Sequence, residues 1–171
     1  MQRHDLLHES NIDQGNSIAY AFSMKPDQVH SIREWPGAPG RNVPKAPTVM
    51  KYDNNSFRWG YQLDRSLEEK ISGIKLLLDP EQERPLFDSG GKAATKAELS
   101  KLNKSPVDIA SDYIEAIYKH ALQHIENKVP KNYLKTLDKE FVLSVPATWS
   151  DKAKDATIRV SLRPLEHEFQ V

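Results

Sequence analysis

Cysteine is missing from all 171 residues, which removes disulfides, thiolate nucleophiles and cysteine metal sites and is compatible with a reducing compartment. An excess of either charge is missing too. Lysine plus arginine equals aspartate plus glutamate at 24 each, so no global basic field invites nucleic acid or an anionic membrane. No apolar run is long enough to cross a bilayer, and the opening MQRHDLLHESN lacks the apolar core of a signal peptide. These absences predict a soluble, cytoplasmic protein with no nucleic-acid and no membrane partner. The mean hydropathy of -0.66 and 11 prolines indicate much loop, in a chain long enough for one domain with a core.

Residues 1 to 11 are polar and unpatterned. From Ser17 to Ser23, Ile18, Tyr20 and Phe22 alternate with small residues, a period of two that predicts a strand. Lys25-Pro26-Asp27 reads as a turn, and Val29 to Ile32 as a returning strand. Proline and glycine crowd Trp35 to Pro47, a loop or seam. Thr48 to Tyr52, a turn at 53–56 and the alternating Phe57 to Asp64 predict a hairpin. Leu67, Ile71, Ile74 and Leu78 stand at helical spacing, interrupted by Gly73. Residues 81–104 are charged and rich in small residues, the composition of a mobile insertion.

Ser105-Pro106-Val107-Asp108 combines an N-cap, a proline at the first helical position and an acid in the first turn, announcing the longest helix. Val107, Ala110, Ile114, Ile117, Ala121 and Ile125 lay one apolar stripe along it. Phe141 to Val145 is almost unbroken in its apolar character, as in a short strand covered on both faces; Pro146 stops it, and Ser150-Asp151 caps a helix running to about Val160. Arg163-Pro164 is expected to break that helix. Ending soon after a strand–helix pair, the pattern predicts a shortened α/β (mixed α+β) unit, a mixed sheet with flanking helices.

Several tempting motifs fail. Gly90-Gly91-Lys92 lacks the Walker pattern's earlier glycine and following hydroxyl, since Leu86 and Ala93 stand at those positions. His120 and His124 share a helix face as zinc ligands do, but alanine at 121 replaces the metalloprotease glutamate and no third ligand is evident, so a solvated face is expected and no metal site. Trp35, Trp59 and Trp149 read as core or corner aromatics in a chain without basic charge.

Val145-Pro146-Ala147, Trp149, Asp151 and the helix bearing Asp155-Ala156-Thr157 resemble the valine-proline-alanine signature of the actin-like ATPases of the heat-shock protein 70 superfamily. Upstream, the helix from Ser105, Val49 to Gly60, Ile32 to Gly37 and the lysine of Ile74-Lys75-Leu76-Leu77-Leu78 are similar in order and spacing to a divergent fungal branch of it. The resemblance covers about residues 17–159. It implies part of the first, ribonuclease-H-like lobe of a nucleotide-binding domain over residues 17–162, with 81–104 inserted, a degenerate phosphate hairpin within 1–16 and a divergent tail at 163–171. It implies a chaperone-type ATPase ancestry, with ATP and magnesium bound in the intact family.

Asp13, Gly15 and Ser17 match the first phosphate hairpin, although the chain reaches Tyr20 in fewer residues than the family pattern has. Lys75 matches the lysine that approaches the attacking water; its own pattern equally describes a lysine whose stem covers an apolar helix. Pro146 matches the interlobe switch, or is a strand terminator. The second phosphate loop and the adenosine-contacting glycines have no counterpart, so tight ATP binding and independent ATPase activity are not expected. The alternative expectation is a non-catalytic interaction module that meets a protein partner through an exposed sheet edge or the surface of the missing lobe.

Overall fold

The computed structural model describes residues 15–53, 56–64, 70–74, 78, 89–130, 132–142, 144 and 150–166. The protein is mixed α and β. Among the described residues there are three two-stranded antiparallel sheets and three α-helices. Strands β1 (Gly15–Asn16) and β4 (Ala46–Pro47) pair, as do β2 (Ala19–Phe22) and β3 (Lys25–Ser31), and β5 (Met50–Asp53) and β6 (Ser56–Trp59). The helices are α1 (Ser89–Leu102), α2 (Pro106–Glu126) and α3 (Asp151–Glu166). None in the described residues is long and apolar enough to cross a membrane.

A hairpin forms where the alternation predicts one, with Met50 opposite Trp59 and Tyr52 opposite Phe57, but its second strand ends at Trp59 and does not run on to Asp64. Arg58 Nε donates to Asp53 Oδ2 at 2.8 Å across its mouth, which holds the Asp53 carboxyl below its ordinary range. After Trp59 the chain leaves the strand for a short 3-10 turn at Gly60–Gln62. In the first hairpin the turn falls at Ser23–Met24, earlier than expected, and Pro26 lies inside β3. A proline is tolerated there because β3 is exposed along its whole length and has one partner strand among the described residues.

The proline- and glycine-rich seam is ordered. Trp35 is buried, its indole Nε1 donates to the Val43 carbonyl at 2.9 Å, and the Val43 amide donates to the Arg33 carbonyl at 2.9 Å. Gly37 adopts φ +81°, and a Cβ there would stand 2.4 Å from the Tyr61 carbonyl oxygen. Only glycine fits. Trp35 meets Trp59 edge to face at 6.4 Å, and Trp59 meets Tyr113 at 5.9 Å, forming the aromatic centre of the core.

Helix α2 begins as its sequence announces: Ser105 Oγ accepts from the Asp108 amide at 3.2 Å, and Asp108 Oδ2 accepts from the Ser105 amide at 3.0 Å. Its buried face carries Ile109, Ala110, Tyr113, Ile117 and Ala121. Ser150 Oγ likewise accepts from the Ala153 amide at 3.2 Å to start α3, which buries Ala153 and Val160. Helices α2 and α3 pack on each other.

Further sequence expectations need correction. The predicted helix over 67–78 does not run through Ile71, whose amide and carbonyl pair with those of Met50, nor through Gly73 at φ +64°; helical backbone is seen at Ile74 and Leu78. The spacing is helical, but the tertiary pairing of Ile71 with Met50 and the left-handed Gly73 override it locally.

Part of the expected mobile insertion is helix α1. Thr95 Oγ1 donates to the Ser72 carbonyl at 3.1 Å and accepts from its amide at 3.2 Å, which ties the helix to the segment after Ile71. Low hydrophobicity suggested disorder, but the alanine, lysine, glutamate and leucine content favours helix, and Leu99 and Leu102 reach the core.

The expected buried strand at 141–145 is not seen in its described part: Phe141 is 46% exposed, Val142 is 91% exposed, and neither is in a strand. Among the described residues no strand pairs with them, and the Phe141 ring meets Tyr118 at 5.3 Å. An apolar run becomes a buried strand only where neighbours cover it.

Finally, α3 continues through Arg163-Pro164 to Glu166. Proline removes the hydrogen bond that position 164 would give the Val160 carbonyl, and Ser111 Oγ of α2 donates to that carbonyl instead, at 3.5 Å.

Candidate functional site

Of the residues singled out for nucleotide chemistry, Gly15 and Ser17 lie in the described structure; Asp13, Lys75 and Pro146 lie outside the described residues, as does Trp149. Gly15 belongs to β1, opposite Pro47, and Ser17 is exposed on the link into β2. Between them Asn16 Nδ2 donates to Thr48 Oγ1 at 3.4 Å, and the buried Tyr113 hydroxyl donates to the Pro47 carbonyl at 2.8 Å. Burial pushes the Tyr113 phenol well above its ordinary value, against the smaller opposing pull of hydrogen bonds with Thr48 and Asn16. The outcome is a small exposed corner carrying a glycine and a hydroxyl, braced from below by a polar network that anchors β1 and β4 to α2.

A second polar cluster joins the β5–β6 hairpin to α2. The Tyr52 hydroxyl donates to Asp112 Oδ2, which also receives Lys104 Nζ, and that ammonium lies 4.8 Å from the centre of the Tyr52 ring. Burial first, then the bond to Asp112 and the charges of Asp112 and Asp108, drives the Tyr52 phenol far upward. Such a phenol stays protonated and is no nucleophile. Beside it a groove of about 280 Å³ is lined by Phe57, Trp59, Asp112, Glu115 and Lys119 among others, but Glu115 is paired with Lys119 at 2.6 Å and Asp112 is occupied. The cluster is bracing, not chemistry.

The two helix histidines do not form the solvated face expected of them. His120 lies against Trp35, with ring centres 5.5 Å apart, and its Nε2 lies 2.8 Å from the Glu34 carbonyl oxygen. His124 is one turn further on, with Nε2 buried and without a hydrogen-bond partner among the described residues. Burial first, then the charge of Lys128, lowers its pKa. Among the described residues no group of three histidine, cysteine or carboxylate side chains is placed to hold a metal ion. Gly90 and Gly91 fall within α1 and so make no phosphate loop, while Trp35 and Trp59 are core residues.

Sequence reasoning singled out Gly15 and Ser17 but not Thr48 and Tyr113, which brace that segment. Tyr113 is offset from the apolar stripe by its hydroxyl, and only the pairing of β1 with β4 brings it under Asn16. No family model, curated protein or solved structure matches the chain.

Proposed function

We propose that residues 17–159 are part of the first lobe of a heat-shock protein 70-like nucleotide-binding domain, a ribonuclease-H-like lobe of the actin-like ATPases, acting in the cytoplasm. The order of the matched sequence words over most of the chain carries this reading. Hairpins at 19–31 and 50–59, and the packing of the helix before the valine-proline-alanine word on the helix after it, fit that order.

In this reading Gly15 and Ser17 are the surviving part of a phosphate hairpin, with Asp13 preceding them and Lys75 and Pro146 as water-approaching lysine and interlobe switch. Phosphoryl transfer rests on positioning and electrostatics, so a shortened hairpin weakens magnesium-ATP binding and leaves the chain without independent ATPase activity. Calorimetry with magnesium-ATP tests this: no saturable binding at micromolar nucleotide is expected, and tight magnesium-dependent binding overturns it.

A second reading is a non-catalytic interaction module. It is favoured by the outer edge of β3, where Val29 is 65% exposed, and by Met24 in the preceding turn, 86% exposed beside an apolar groove formed with Phe22, Val129 and Tyr133. Light scattering after size-exclusion chromatography tests self-pairing through that edge, and a stable monomer at high concentration contradicts it.

A further inference from the structure

We propose that His124 makes the docking of the 33–43 loop on α2 sensitive to acid, so that the loop loosens below neutral pH while the hairpin beneath it holds. The loop closes on itself through the Val43 amide on the Arg33 carbonyl and the Trp35 indole on the Val43 carbonyl. It meets α2 through the Trp35 ring on His120 and through His120 Nε2 and the Glu34 carbonyl. A carbonyl only accepts, so His120 Nε2 carries the proton whether that imidazole is neutral or charged, and this bond survives acidification.

His124 is different. Its ring centre lies 6.5 Å from that of His120, and its buried Nε2 has no partner among the described residues. A proton added there creates a cation lacking an acceptor among the described residues, flanked by His120 on its own helix and by Lys128 just past the helix end, and opposed by the Glu34 carboxylate from the loop. Relief requires the imidazole to swing to water or the Glu34 side chain to turn onto it. The first movement disturbs the neighbouring His120 ring, and the second moves the residue whose carbonyl holds the loop to His120. The downward shift of the His124 pKa from burial agrees with this ordering and places the transition below the usual imidazole range. The inference is independent of the nucleotide-binding reading.

Hydrogen–deuterium exchange of the full chain, corrected for intrinsic rates, tests it. Between about pH 7.5 and about pH 5, protection of the Val43 amide and the Trp35 indole is expected to fall about tenfold, with less than about twofold change over Met50–Trp59. In His124→Gln that fall disappears. Unchanged protection in the natural chain, an equal fall in His124→Gln, or an equal fall across Met50–Trp59 overturns the proposal. Should His124→Gln not fold, Glu34→Gln, altered at an exposed side chain, is expected to move the midpoint to lower pH; an unmoved midpoint overturns it.

Discussion

Ser111 and Val160 join two helices at the point where a proline removes a backbone donor. The Ser111 hydroxyl gives its hydrogen to the carbonyl four residues before Pro164, inside a helix that runs past that proline. Ser111→Ala is expected to cost about 1 kcal/mol in denaturant unfolding, because a buried carbonyl loses its partner. In the Pro164→Ala background the backbone amide is restored, and the same change should cost less than about half as much. Equal costs in both backgrounds would show that the two residues act separately.

The Tyr52–Asp112–Lys104 cluster predicts unequal effects from its members. Tyr52→Phe should cost about 1 kcal/mol, since one donor is lost while its acceptor keeps Lys104. Asp112→Ala should cost about 2–3 kcal/mol, because the phenol and the ammonium both lose their acceptor. Urea midpoints at constant slope check the order.

Alkaline titration follows from the two most strongly raised phenols, Tyr52 and Tyr113. Both are held above their unfolded value in the fold, Tyr52 and Tyr113 each mainly by burial. Above the ordinary tyrosine range the unfolded chain loses protons that the folded chain keeps, so stability is full below about pH 10 and declines as pH rises beyond it. Tyr113→Phe and Tyr52→Phe should each flatten that decline, measured as unfolding free energy against pH.

Gly37 and Gly40 share a left-handed backbone but differ in surroundings. A methyl at Gly37 meets the Tyr61 backbone, whereas one at Gly40 meets nothing within 4 Å. Gly40→Ala should cost about 1 kcal/mol from backbone strain alone, and Gly37→Ala about 3 kcal/mol from strain plus collision. Thermal midpoints of the two variants separate these contributions.

What could be read from the sequence was local chemistry. The cap at Ser105-Pro106-Asp108, the cap at Ser150 and the alternation through Phe57 and Trp59 each specify their own geometry within a few residues, and the structure agrees at all of them. Expectations that depended on distant partners fared worse. Ile71 fits a strand or a helix until Met50 is beside it. Phe141 and Val142 were assigned a cover that the described residues do not supply. Helix α1 looked unstructured because its few apolar residues hide its helical composition, and Pro164 was read without the hydroxyl that Ser111 brings from another helix. At the candidate site the glycine and serine were legible, whereas the network of Asn16, Thr48 and Tyr113 beneath them depends on residues far apart in the chain.

The most direct test is a magnesium-ATP titration followed by amide chemical shifts of the labelled chain. The proposed phosphate hairpin, weakened by its shortening, predicts no saturation at micromolar nucleotide and, at millimolar nucleotide, magnesium-dependent shifts centred on Gly15, Asn16 and Ser17. Shifts absent from that corner at millimolar nucleotide, or saturation in the micromolar range, would contradict it.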